Sequence, residues 1–306
     1  MKLSIAAKYS KLGWDMHRLG ISKEEAIERY KSENMNVKRI LDSDMRQKNS
    51  IDAIINKISD AEIVDMILLK EGKIKKPEPD MLISIGGDNF FQTCSHYFPD
   101  TYLIGVNSDP LTSHGALLNF THESLEHNID KILNNDFRTE HWTRIATTLN
   151  GARVEDTTCT LSLSIKATDM VSRYLLQYKS EQEEQKATGI LLVTGAGSGN
   201  RAWYRNAGLY LPMITSELYP ETTHEFPKSA RTLKTLTREP MGGADCSYKW
   251  LNKTIQEDEE LRLIYWANDV SELSIDSIKR YDVKQGDVLT FRISEKKLKV
   301  VSKDFI

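Results

Sequence analysis

The chain is poor in cysteine. Its 306 residues include three, Cys94, Cys159 and Cys246, far apart and with no CxxC pair. That spacing excludes a disulfide framework and a thiolate zinc site, and it is what a reducing compartment leads one to expect. Long apolar runs are missing as well. Nothing approaches the roughly 18 residues of a membrane-spanning helix. The short apolar start, Leu3 to Ala7, is followed at once by Lys8, too soon for a signal peptide, so a cytoplasmic location is expected. There is no excess of positive charge: 41 Lys and Arg face 44 Asp and Glu, for a net charge of -3. Without a basic field, a nucleic-acid partner is not expected. The seven histidines form no HExxH and no pair at helical ligand spacing, so no metal site built by the protein alone is expected. Internal repeats and low-complexity tracts are also absent.

What remains is the composition of a globular protein, 40% hydrophobic and 28% charged. Its first third alternates helix and strand signals. Ser22-Lys23-Glu24-Glu25 has the form of a capping box, in which a hydroxyl and a carboxylate satisfy free amides at a helix start. Ile51, Ile54, Ile55 and Ile58 share one helical face. Strands are predicted at Ile63 to Leu68, Met81 to Ile85 and Tyr102 to Val106, the last two short, apolar and suited to burial on both faces. Strands separated by helices imply a parallel sheet with crossover helices. A basic loop with two prolines, Lys70 to Pro79, lies between the first two. After a helix carrying Leu125, Ile129, Ile132 and Leu133, the texture changes near Phe137 to Glu140. Cys159, Leu161, Leu163 and Ile165 alternate with Thr160, Ser162 and Ser164, the period of a half-buried antiparallel strand. Gly189 to Val193 and Asp287 to Ile293 are further strands, and Glu181 to Lys186 reads as a polar hairpin tip. The fold class expected is an α/β domain with a parallel sheet plus a β-rich domain.

Three loops could carry chemistry. Gly86-Gly87-Asp88-Asn89-Phe90 follows a buried strand. Two glycines let the backbone come close to a ligand, helix-start amides favour phosphate oxygens, and an aspartate there can accept a proton from a hydroxyl nucleophile. An ordinary Gly-Gly-Asp turn would look the same. Thr194-Gly195-Ala196-Gly197-Ser198 also follows an apolar strand and could offer amides and hydroxyls to a phosphate; it could equally be a glycine-rich hairpin. It is neither a Walker A loop nor a full GxGxxG. Gly105-Val106-Asn107-Ser108-Asp109-Pro110 ends a strand in turn formers. A hydrolase triad of Ser198, His224 and Asp245 is set aside for want of a Gly-x-Ser-x-Gly elbow.

Taken in order, these segments resemble the ATP-dependent NAD kinases, especially the mitochondrial type. The family's Gly-Gly-Asp-Gly is similar to Gly86-Gly87-Asp88-Asn89, its Gly-Val-Asn-Thr-Asp-Pro to Gly105 through Pro110, and its Ser-x-Gly to Ser113-His114-Gly115. Its Thr-Gly-Thr-Gly-Ser before Ala-Trp resembles Thr194 through Ser198 before Ala202-Trp203, and Arg238-Glu239-Pro240 has a counterpart too. The resemblance implies residues 1–138 as an α/β nucleotide-kinase domain on which 295–306 returns to pack, and 139–294 as a β-rich substrate-binding domain, with substrate in the cleft between. It implies ATP with Mg²⁺ as phosphate donor, NAD as substrate, and Asp88 as base for the 2′-hydroxyl of the adenosine ribose. Gly86, Gly87, Asn89, Phe90 and Asn107 would bind nucleotide from the first domain. Thr168, Asp169, the Thr194–Ser198 loop, Ala202, Trp203 and Asn206 would do so from the second; Arg201, next to an insertion, could add a charge-assisted contact to phosphate or simply face solvent. A homo-oligomer, dimer or tetramer, is implied as well. Asn89 and Phe90 replace the family's Gly and Thr; asparagine keeps a left-handed turn available, while Phe90 adds bulk. Thr168-Asp169 stands for Asn-Glu, and Gly199-Asn200 is a two-residue insertion. These departures leave open a kinase acting on another hydroxyl, or a nucleotide-binding protein without turnover.

Overall fold

A computed structural model describes residues 1–167, 169–199, 202–208, 225–242 and 248–304. The chain divides into two compact units, residues 1–140 with 299–306 and residues 141–298. The first is an α/β unit, the second an antiparallel β unit.

In chain order the first unit contains β1 (Leu3–Ala7), α1 (Lys11–Leu19), α2 (Lys23–Ser32), α3 (Val37–Lys57), β2 (Glu62–Val64), α4 (Met66–Lys70), β3 (Met81–Gly86), α5 (Asp88–Tyr97), β4 (Tyr102–Asn107), β5 (Phe120–Thr121), α6 (His122–Leu133) and the first half of β6 (Thr139–Trp142). Its sheet runs β2-β1-β3-β4, continued by Leu298–Val301 and β6. The pairs β1–β2, β1–β3 and β3–β4 are parallel. Every residue of β3 is buried, as a strand covered on both faces demands. Ile54 and Ile58 of the isoleucine face are buried in the core, with Ile51 and Ile55 packed beside them, against Ile83, Ile104 and Val106. The Ser22 and Glu25 capping box forms. The strand expected over Ile63 to Leu68 stops at Val64, because the Asp65 carboxylate accepts the amide protons of Ile67 and Leu68 and so starts α4.

The second unit contains β7 (Ile145–Leu149), β8 (Ala152–Arg153), β9 (Thr160–Ile165), β10 (Ser172–Tyr178), β11 (Glu181–Val193), α7 (Trp203–Gly208), β12 (Thr232–Pro240), β13 (Thr254–Gln256), β14 (Glu260–Tyr265), β15 (Ser271–Ile275), β16 (Lys279–Val283) and β17 (Val288–Ile293); β18 (Leu298–Val301) then returns to the first sheet. The sheet order is β16-β15-β9-β11-β10-β14-β17-β7-β8. β11 organises it: Ile190 and Leu192 face the main core, while Leu191 and Val193 face Tyr204 and Ala207 of α7. Glu181 to Lys186 is not the hairpin tip but part of β11, paired with β10. Lys179, at φ 54°, makes the turn instead. Gln185, buried there, accepts a hydrogen bond from Thr237.

Candidate functional site

The Gly86-Gly87-Asp88 turn lies at the carboxyl end of β3, with β1 on one side and β4 on the other. Parallel sheets gather ligands at that end, where loops diverge and helices begin. α5 starts at Asp88, and Gly87 caps it without any side-chain hydrogen bond. The turn needs no left-handed residue, since Gly86, Gly87 and Asn89 all have ordinary φ. Asn89 is therefore not there to hold a left-handed bend; it sits exposed in the first turn of α5. Gly86 serves packing. A Cβ on it would meet both the Lys8 Cβ and the Phe90 ring at 3.0 Å. Phe90 thus lies over the turn on the side of β1.

Asp88 faces the other way. Its Oδ2 accepts the Ala116 amide at 3.1 Å and its Oδ1 the Leu117 amide at 2.8 Å. Each carboxylate oxygen has two lone-pair directions, so one bond to each fixes the group and leaves acceptor capacity for a hydroxyl. The loop that supplies those amides is itself anchored. Asn107 is buried; its amide donates to the Ser113 carbonyl at 3.0 Å while its Oδ1 accepts the Asp109 amide. Asp109, 3% exposed, accepts from Arg46 at 2.7 Å, from Ser43 at 2.6 Å and from Thr112 at 2.5 Å. Burial alone would raise its pKa, but these donors, Arg46 foremost, hold it below the usual carboxylate value. A chain of contacts runs from α3 through Asp109 and Asn107 to the amides on Asp88. Sequence reasoning missed Arg46 and Ser43: neither lies in a motif, and both come from an earlier helix. His114 is exposed beside this loop.

In the second unit, Thr194 to Ser198 forms a buried turn with Gly195–Gly197 as a 3-10 helix. Its hydroxyls point inward. Thr194 Oγ1 donates to the Thr158 carbonyl at 2.6 Å, and Ser198 Oγ donates to the Gly195 carbonyl while accepting the Phe226 amide. A Cβ on Gly195 or Gly197 would strike the carbonyl oxygens of Pro227 or Cys159 at 2.1 and 2.2 Å, so Ala196 alone of the three carries a side chain. The segment under the loop is fixed by Asp276, whose carboxylate accepts the amides of Thr158, Cys159 and Thr160 at 2.6 to 2.8 Å. The hydroxyls expected to meet a phosphate are spent on backbone, and the glycines admit close packing. Nearby, α7 turns Tyr204 and Ala207 inward, leaving Trp203 and Asn206 exposed and Ala202 partly so. Arg238 lies over the Trp203 ring at 4.7 Å. Asp169 is exposed in a turn. Thr168 and Arg201 lie outside the described residues.

Among the described residues no group of three or more His, Cys, Asp or Glu side chains gathers to hold a metal.

No model of a protein family matches the sequence, and no curated protein matches it. Solved structures do. An NAD kinase from Archaeoglobus fulgidus, in complex with ATP, superposes with a TM-score of 0.62 at 13% identity, over 99% of this chain and 94% of that one. Yeast NADH kinase, complexed with NADH, superposes with a TM-score of 0.63 at 14% identity, over 83% of this chain and 80% of that one. The chain has the fold of the NAD kinases, an α/β unit with a mostly parallel sheet and a separate antiparallel β unit.

Proposed function

We propose that this chain is a member of the NAD kinase family, closest in its motifs to the mitochondrial type. It would transfer the γ-phosphate of ATP to the 2′-hydroxyl of the adenosine ribose of NAD, giving NADP. The observation that carries the reading is the Asp88 carboxylate, fixed by two backbone amides at the carboxyl end of β3. In the proposed step the 2′-hydroxyl donates its proton to Asp88, its oxygen bonds to the γ-phosphorus, and the bridging P–O bond breaks to release ADP. The transition state is loose, so holding the two reactants in line counts for more than base strength. Magnesium would arrive on the nucleotide phosphates and neutralise their charge. Trp203, Asn206 and Asp169, exposed in the β unit, are the proposed contacts from that side, with Ala202 beside them. The Thr194–Ser198 turn would shape the site from beneath. Thr168 keeps its proposed role from the resemblance alone, and Arg201 its proposed phosphate contact from its charge alone. A cytoplasmic location and a dimer or tetramer belong to the same proposal.

The expected outcome is NADP formed from ATP, Mg²⁺ and NAD by the purified chain, and a fall on the order of 10²–10⁴ in rate for Asp88→Asn. No NADP above the Asp88→Asn background would end the NAD reading. A panel of other hydroxyl acceptors, read by ADP release, would then test the broader kinase reading. A binding protein without turnover is favoured by one observation, the inward-turned hydroxyls of Thr194 and Ser198. It predicts nucleotide binding in calorimetry with no ADP released for any acceptor.

A further inference from the structure

Three features that meet at Arg238, in the β unit, each cost free energy locally. Trp203 is 44% exposed. The next residue, Tyr204, is fully buried and accepts a hydrogen bond from Asn252, so α7 is anchored without the indole. Arg238 gives up the freedom of a long side chain to lie over that ring, 4.7 Å from its centroid. Glu239, beside it, has a left-handed backbone at φ 45° without being glycine. Such strain persists only where the surroundings impose it, and it gathers at ligand-contacting positions.

The neighbouring strands are shaped to let the arginine reach. Across β12, β11 and β9, Arg238 stands opposite Gly189, and Gly189 opposite Ser164. Directly opposed residues share one face of a sheet. The Arg238 side chain therefore crosses β11 at a residue that has none, and donates to Ser164 Oγ at 2.9 Å. Thr188, just before the glycine, donates to Glu239 Oε2 at 2.6 Å and so holds the left-handed residue. A guanidinium is planar, with its donors in a fixed fork, so a hydrogen bond at one edge sets the angle of the face that meets the indole. Among the described residues its side-chain partners are that hydroxyl and the ring, with no carboxylate.

We infer that Arg238 is a positioning residue: tethered to Ser164 across Gly189, it fixes the Trp203 indole in one orientation before substrate arrives. A contact surface ordered in advance loses less freedom on binding. Arg238 thus raises affinity for the dinucleotide through Trp203 and touches no reacting atom. The clamp on the ring stands on the β unit alone; its effect on substrate rests on the proposed role of Trp203.

Trp203 emission, taken as the difference between the native chain and Trp203→Phe, reports the ring without any ligand. Its anisotropy decay is expected to show protein-sized rotation in the native chain, and an added fast local component in Arg238→Met and Ser164→Ala. Arg238→Lys, which keeps the charge but not the planar fork, should match Arg238→Met. Calorimetry with NAD should give binding about tenfold weaker for Arg238→Met and about threefold weaker for Ser164→Ala. Adding Arg238→Met to Trp203→Ala should bring no further loss, since the two act as one unit. In assays of NADP formation KM for NAD should rise while kcat holds, because the chemical step is untouched. An indole as immobile in Arg238→Met and Ser164→Ala as in the native chain would overturn the inference. So would a loss of NAD affinity that persists in full once Trp203 is gone. NAD failing to bind the native chain, with the ring freed in the variants, would remove the substrate role of Trp203 and leave the clamp standing. Circular dichroism checks folding, and Ser164→Ala, which removes only the tether, serves should Arg238→Met not fold.

Discussion

Gly115 and Gly20 share almost the same left-handed backbone, φ 65° and 64°, but not the same surroundings. Nothing lies within 4 Å of a Cβ on Gly20, whereas one on Gly115 would fall 2.5 Å from the Asn107 amide nitrogen. Gly20→Ala should therefore cost about 1–2 kcal/mol of stability, the steric cost of the backbone alone, and leave phosphotransfer intact. Gly115→Ala should cost more, and should also displace the amides of Ala116 and Leu117 from Asp88. A drop on the order of 10²-fold in turnover is expected for a misplaced reacting group. Urea melts and initial rates on both variants make the comparison; equal turnover in the two would show that the loop does not position Asp88. At this scale the turn itself was legible, since two glycines after an apolar run mark the end of a buried strand, while the role of Asp88 rests on the resemblance. The orientation of Thr194 and Ser198 was not legible, since a hydroxyl in a glycine loop can face either way.

In the α/β unit an ion pair with a buried carboxylate ties two distant elements together. Arg46 of α3 reaches Asp109 after β4 across 63 residues of sequence. Removing the arginine leaves the buried carboxylate with its two hydroxyl donors but without an opposite charge, so Arg46→Ala should destabilise the chain. Asp109→Asn should cost less, because the three donors keep an acceptor. Since the folded pKa of Asp109 is depressed, its contribution is complete above the unfolded value of about 3.9 and is lost as pH falls through the folded value. The stability gap between the native chain and Asp109→Asn should thus be constant near neutrality and narrow below about pH 4. Denaturant melts across that range check it, and a gap that widens toward low pH would refute the sign. The regular strands β3, β4, β9 and β17 were legible from apolar runs or alternation. α4 was not: five residues are too few to show a helical period, and one Asp65 cap outweighed β-branched propensity. The charged start of β11 was hidden for a related reason. Its pairing with β10 needs only one buried side chain, Gln185, and no apolar alternation.

For the whole molecule, the change from crossover helices to alternating strands after about residue 140 was visible in hydrophobic period, which reports burial on one face or two. The last strand carried no such label. β18 is four residues long, yet it is an interior strand, pairing with β4 through Val300 and Leu103 and lying between β4 and β6. Leu298, Val300 and Val301 are fully buried, and the Ser302 amide donates to the Arg138 carbonyl. The α/β unit is thus closed by residues about 160 positions beyond its main body, a long-range contact that costs loop entropy and must be repaid in burial. Val300→Asp would place an unpaired carboxylate in that interior, a penalty of several kcal/mol that exceeds much of an ordinary domain's stability. The β unit keeps its own core around Leu163, Leu192, Leu263 and Phe291 and loses nothing directly. Hydrogen exchange should then show protection falling in β1, β3 and β4 while β9, β10 and β14 remain protected, so unfolding ceases to be two-state. Protection lost equally in both sheets would mean that the two units unfold as one, and that the C-terminal strand holds more than the α/β core together.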